Sequence, residues 1–265
     1  MYKKIKKVIK DFYIDLYRMI FTNAGFNDSR LNRLDFDKHV LNNQIIQFKE
    51  KEKLKKISAV IRVKNGAEYI ESSVLSILSL VSEIVIIDND SSDDTYNIAT
   101  RLKKELSDIC EINIYTYHKK LEIAGCGYRR RLNENPGGSL AAYYNYCFSL
   151  AKYDYVMKWD AHAIMFEKTI NKIQAVLAKE PDAIYLRALE LYGKNMSSEM
   201  RIYKSCLGLK YIDGDLYEEL DFENFSFKEM KKKVLYSPAY LHLKRLSYVK
   251  FSKMECSNIV SEKYN

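Results

Sequence analysis

Three short polar clusters carry the residue types that could do chemistry, and each closes an apolar run. In "KWDAHAIM" Asp160 and His162 stand two positions apart. Residues two apart in an extended segment point to the same side, so this carboxylate and imidazole could share one ligand. In "IVIIDNDSSDD" a β-branched run stops at Asp88 and Asp90, and in "AVIRVKNG" another stops at Lys64 and Asn65. Each cluster also has a plainer reading. Asp88 and Asp90 could cap the helix that follows, and Asp160 and His162 could be no more than the polar end of a strand.

The elements that must hold these clusters follow from periodicity. "ISAVIRV" (57–63) and "EIVIID" (83–88) read as short buried strands. Between them, residues 67–81 place Ile70, Val74, Ile77, Leu78 and Val81 at helical spacing. A helix is expected over 93–106, started by the Ser/Asp cluster before it, and a third strand over 111–117. Residues 118–138 read as a loop with Arg129, Arg130, Arg131 and the turn signal Pro136-Gly137-Gly138. Ser139 can cap a helix running to about 151, ahead of a fourth strand over 153–160. A helix after 166 and strands at 183–192 and 200–205 follow, while 206–265 gives no clear pattern. This order implies a mostly parallel sheet with helices on both faces. Ligands of such sheets sit beyond the carboxyl ends of the strands, where all three clusters fall.

Composition narrows the function classes. With 265 residues and 47% hydrophobic content the chain can bury a sizeable core. The net charge is +8, and residues 1–56 hold 14 Lys/Arg against 7 Asp/Glu. That segment therefore carries +7, which leaves the other 209 residues near +1. A nucleic-acid enzyme more often carries its positive charge around its site, so no nucleic-acid partner is expected. The five cysteines form no C-x-x-C pair and read as reduced thiols of a cytoplasmic protein. No run is apolar and long enough for a transmembrane helix, and Asp11, Asp15 and Arg18 interrupt the place of a signal-peptide core.

Residues 2–21 have helical periodicity, with Ile5, Val8, Ile9, Phe12, Leu16, Met19 and Ile20 on one face and five lysines mostly elsewhere. Two readings stay open. The helix could lie on an anionic membrane surface at the inner face, or pack on the main domain with its basic side in water. Two domains are expected: a basic helical extension and linker over 1–56, and the main domain over 57–265.

The order of the clusters resembles the nucleotide-sugar glycosyltransferases of the GT-A fold, family 2 type. The matching stretches are "IRVKNGAEYIESSVLSIL", the acidic box "IVIIDNDSSDDT" and "AAYYNYCFSLAKYDYVMKWDAH". The resemblance covers roughly residues 57–205, and the acidic box is its most specific part. It implies a GT-A-like (Rossmann-like) α/β fold, with the basic helical extension added at the N-terminus. It implies an inverting sugar transfer from a nucleoside diphosphate sugar, UDP-linked first and guanosine second, to a glycan or lipid-linked acceptor in surface polysaccharide synthesis. The metal motif of these enzymes is usually D-x-D; here Asp160-Ala161-His162 replaces one carboxylate by an imidazole.

What the resemblance implies for individual residues is as follows. Asp160 and His162 hold a divalent cation, Mn²⁺ or Mg²⁺, with His242 of "YLHLKR" as a further metal or diphosphate contact. Asp88 accepts from the base or ribose, Asp90 lines the same pocket, and Asn65 with Gly66 forms the wall beside the base. Arg129 or its neighbours contact phosphate, unless the triplet is a solvated loop. Glu199 of "SSEMRIYK" is the first choice for general base, with Glu190 in reserve. Competing readings are a sugar-phosphate nucleotidylyltransferase, poorly served by the single glycine of "VIRVKNGAEY", and a GT-A-like module or membrane-surface adaptor without activity.

Overall fold

The computed structural model describes residues 55–190, 196–221 and 230–243. The helix expected at 2–21 lies outside the described residues, as does most of the expected linker.

Strand β1 (Ile57–Val63) is buried at every position except Arg62, as expected of a β-branched run in mid-sheet. The chain then turns at Gly66, whose carbonyl accepts from the N–H groups of Tyr69 and Ile70. A Cβ at this glycine would stand 2.5 Å from Val63 Cγ2, so the turn needs glycine here. Helix α1 (Ile70–Ile77) is therefore shorter than the expected 67–81, because the Gly66 turn occupies its first residues. β2 (Glu83–Asp88) is wholly buried. α2 (Thr95–Glu105) starts where Asp93 Oδ1 accepts from the Thr95 N–H. β3 (Glu111–Thr116) completes the first half.

The segment expected to be a loop contains a helix, α3 (Tyr128–Glu134), entered through Gly127 at φ 78°. Three consecutive arginines hid it, because they leave too few apolar positions to show a period. Ser139 caps α4 (Leu140–Ser149) as expected, its Oγ accepting from the Ala142 N–H at 2.9 Å. β4 (Tyr155–Asp160), β5 (Ala163–Met165) and α5 (Glu167–Leu177) follow. β6 (Ala183–Glu190) and β7 (Met196–Lys204) come next, the latter beginning four residues before the expected strand. The unclear final part supplies β8 (Tyr211–Asp213), β9 (Glu218–Leu220) and the long β10 (Lys232–His242).

Eight strands form one sheet in the order β3-β2-β1-β4-β7-β6-β10-β5, and β8 pairs with β9 apart from it. β3, β2, β1 and β4 are mutually parallel. β7 runs antiparallel to both β4 and β6, β10 parallel to β6, and β5 antiparallel to β10. One core packs Ile61, Ile86, Met157 and Trp159 with α1, α2 and α5. The other packs Val60, Ile87 and Val156 with α4. In β4 the alternation turns Met157 and Trp159 to the first core. Lys158 and Asp160 therefore turn to the α4 side.

Candidate active site

The register places two of the three clusters on opposite sides of β1. Val63 pairs with Asp88 and Arg62 with Asp160. Twice the strand spacing puts these strand ends about 10 Å apart.

At the β2 end, the first loop and the acidic box are tied by hydrogen bonds. The Asn65 N–H donates to Ser91 Oγ (2.8 Å), and Asn65 Oδ1 accepts from the Ser92 N–H (2.8 Å). Gly66 N–H donates to Thr95 Oγ1, and Ala67 N–H to Asp93. Asn65 and Asp90 both sit in the left-handed region, at φ 53° and 49°, which Asn and Asp tolerate better than most residues. Asp88 is buried, and its Oδ2 accepts from the Ser91 N–H (3.0 Å). Its Oδ1 is buried without a partner among the described residues. Neither Asp88 nor Asp90 caps α2, where Asp93 and Asp94 stand. Asp90 instead faces His118 Nδ1 at 2.8 Å in the open.

The β4 end is built from charges. Asp160 Oδ1 accepts from Arg62 Nη2 (3.2 Å), and Oδ2 accepts from Arg201 Nη1 (2.7 Å). Arg201 is almost fully buried on β7 and also bonds Glu199 Oε2 (3.1 Å) and the Tyr240 hydroxyl (2.9 Å). Arg62 lies over the Tyr144 ring of α4, 3.8 Å from its centroid. Lys158 Nζ is 4.0 Å from Glu199. Burial alone would push the Asp160 carboxyl up, but Arg201, His162, Arg62 and Lys158 outweigh it and hold it well below the usual range. Burial and the neighbouring Arg62 lower the Lys158 ammonium. Behind the strand, Ser73 Oγ on α1 donates to the Asp160 carbonyl and accepts from the Trp159 indole, both at 3.0 Å. Trp159 is thus core, and it anchors the backbone that carries Asp160.

β5 and β10 complete the site. The Leu243 N–H donates to the His162 carbonyl, which joins the end of β10 to the metal motif. The two imidazoles stack with centroids 4.7 Å apart and Nε2 atoms 2.8 Å apart. His242 Nε2 also lies 3.8 Å from Asp160 Oδ2. One ligand atom from each of Asp160, His162 and His242 falls within 4.8 Å of the others, a group able to hold a metal ion. One carboxylate and two imidazoles fit a transition cation such as Mn²⁺ better than Mg²⁺, which takes oxygen donors.

The remaining expected residues are placed as follows. Glu199, on β7, is paired with Arg201 and close to Lys158, with its side chain 41% exposed. Glu190, at the end of β6, is held by His242 and Ser197. Arg129 is engaged elsewhere, its Nη1 donating to the Asp213 carbonyl at the β8–β9 hairpin. Arg131 is likewise engaged by the carbonyls of Ile123 and Cys126. Sequence reasoning missed Arg62 and Arg201. A single cation inside an otherwise apolar strand, as in "AVIRV" and "EMRIY", was the available signal, since a buried charge needs an opposite partner.

An α/β sheet with carboxylates and imidazoles gathered at its strand ends presents them where ligands of such sheets bind. The family model for glycosyl transferase family 2 matches residues 58–237. The chain belongs to that family. A search of the curated proteins finds no match. Among solved structures, S. aureus TarS (residues 1–349) is 13% identical with a TM-score of 0.49. The mannosyltransferase PcManGT from Pyrobaculum calidifontis, in complex with GDP-Man and Mn²⁺, is 16% identical with a TM-score of 0.36. GalNAc-T7 with UDP, GalNAc and Mn²⁺ is 15% identical with a TM-score of 0.38. These matches cover 76%, 56% and 64% of this chain, which spans 66%, 42% and 30% of theirs.

Proposed function

We propose that this domain transfers a sugar from a nucleoside diphosphate donor, UDP-linked first, to a glycan or lipid-linked acceptor, with inversion and with a divalent cation. The observation that carries this reading is the pairing of two unlike strand ends across β1. One offers a buried carboxylate oxygen without a partner, Asp88 Oδ1; the other gathers Asp160, His162 and His242.

Asp88 is the contact for a nucleobase or ribose donor group. A buried acceptor without a partner costs about 1–3 kcal/mol, and a ligand N–H or O–H would recover it. Asn65 and Gly66 hold the wall of that pocket through the bonds to Ser91, Ser92 and Thr95. Asp160, His162 and His242 would hold the cation. When bound, that cation supplies positive charge to the leaving diphosphate. Glu199 takes the proton of the acceptor hydroxyl. Arg201 grips Glu199 and Asp160 together and so fixes the base relative to the donor site. Arg129 is assigned to the hairpin it binds rather than to phosphate.

The family match begins at residue 58, which supports an N-terminal extension separate from the catalytic domain. The basic amphipathic pattern of residues 2–21 supports a peripheral place at the inner membrane face, beside a lipid-linked acceptor in surface polysaccharide synthesis. No helix among the described residues is long and apolar enough to cross a membrane.

The test is release of nucleoside diphosphate from a panel of UDP- and GDP-sugars with Mn²⁺ present. One donor should be turned over far faster than the rest, and Glu199→Gln should lower kcat by at least about 10²-fold at similar donor affinity. No turnover of any donor, with nucleotide still bound, would favour the inactive module.

A further inference from the structure

Glu190 was a candidate base, yet its contacts give it another task. Its Oε2 lies 2.7 Å from His242 Nδ1, and its Oε1 accepts from Ser197 Oγ at 2.8 Å. Both carboxylate oxygens are thereby committed within the protein. The backbone enforces this: Glu190 and His242 are register partners on β6 and β10, and Ser197 lies on β7, which pairs with β6 on its other side. The carboxylate is largely buried, at 19% side-chain exposure, so it is poorly placed to meet an acceptor hydroxyl. His242 is itself buried and turns its other nitrogen, Nε2, towards His162 Nε2 and Asp160.

We propose that Glu190 is the positioning residue of the metal centre, fixing His242 so that Nε2 presents its lone pair to the cation. The inference rests on the metal reading given above. A carboxylate can only accept from the ring, so of the two neutral forms of His242 it selects the one with Nδ1–H, whose lone pair is on Nε2. It also fixes the ring plane, as carboxylate partners of metal-bound histidines do. Ser197 in turn fixes the carboxylate. The line from Ser197 through Glu190 and His242 to the cation site crosses three neighbouring strands of one sheet, so its geometry exists before any cation arrives.

The experiment is calorimetric titration of Mn²⁺ into the protein saturated with UDP, paired with UDP titration in chelator. Glu190→Ala should weaken Mn²⁺ binding by about 10–100-fold and leave metal-free UDP binding unchanged. Glu190→Gln keeps an acceptor for Nδ1–H and should weaken it less. In a His242→Ala background, Glu190→Ala should cost nothing further, because its effect passes through that ring. Ser197→Ala, which disturbs the fold less, should weaken Mn²⁺ binding severalfold. Wild-type protein that binds UDP but no Mn²⁺ would remove the metal reading itself. Wild-type Mn²⁺ binding that is unchanged in Glu190→Ala, or in Ser197→Ala should the former not fold, would overturn the proposal alone. A full loss from Glu190→Ala in the His242→Ala background would make Glu190 a ligand and also overturn it.

Discussion

The β2 and β4 ends stand about two strand spacings apart, on either side of β1, and are built by different physics. The β2 end is held by backbone and side-chain hydrogen bonds between two loops, without a buried ion pair among the described residues, and its central carboxylate keeps one oxygen unused. The β4 end is held by charge: Asp160 is gripped on both oxygens by arginines that are themselves nearly buried. A site for a neutral base needs shape and an unsatisfied acceptor. A site for a cation and a diphosphate needs its carboxylate ionised and fixed beforehand. The two ends should therefore fail in different ways when mutated, one in binding and the other in folding.

The largest effect is expected at Asp160. Asp160→Ala leaves Arg62 and Arg201 buried beside an unfilled space, and should cost about 3–5 kcal/mol of stability in urea unfolding. Asp88→Ala, by contrast, should cost roughly 1 kcal/mol or less, because it removes one bond to Ser91 together with an unsatisfied oxygen. Its effect should fall instead on UDP affinity, weakened by about 10–100-fold. Equal stability losses in the two variants would erase the distinction between the ends.

Acid unfolding sharpens the same contrast. The Asp160 carboxyl is held below its ordinary value, so its ion pairs stabilise the fold fully above the unfolded value of about 3.9. That contribution is lost as pH falls through the lower folded value. Stability measured from pH 5 to pH 2 should fall less steeply in Asp160→Asn than in wild type. The smallest effect belongs to Asp90. Its pair with His118 is exposed, so Asp90→Asn should change stability by under about 0.5 kcal/mol. Thiol labelling at pH 8 should add a marker of the core. Cys126 and Cys206 are exposed and should react, while burial pushes the Cys147 thiol up to about 12 and should leave it silent.

Much of the β2 end was legible in the sequence because it is local. "IVIID" is a buried strand by composition, and it ends in Asp88, with the rest of the acidic box to Asp94 following directly. Asp160 and His162 were legible for the same reason, being two residues apart on one extended segment. His242 entered only through the family resemblance, since β10 lies 80 residues further on and its pairing with β5 and β6 has no short-range signature. Arg62 and Arg201 were hidden because their partner, Asp160, is set by the strand order β1-β4-β7, which periodicity does not encode. Glu190 was seen as a carboxylate in the right half of the domain, but its task depends on which ring it faces across β6 and β10. α3 escaped because in this charged seven-residue helix only Tyr128 and Leu132 face inward, too few to show a period.

The most direct test of the metal-assisted donor site is UDP binding measured by calorimetry with and without Mn²⁺, in wild type and in His162→Ala. Mn²⁺ should strengthen UDP binding to the wild type, and His162→Ala should remove most of that gain while leaving metal-free binding as it was. UDP and GDP that fail to bind under every condition, or a Mn²⁺ effect of the same size in both proteins, would contradict it.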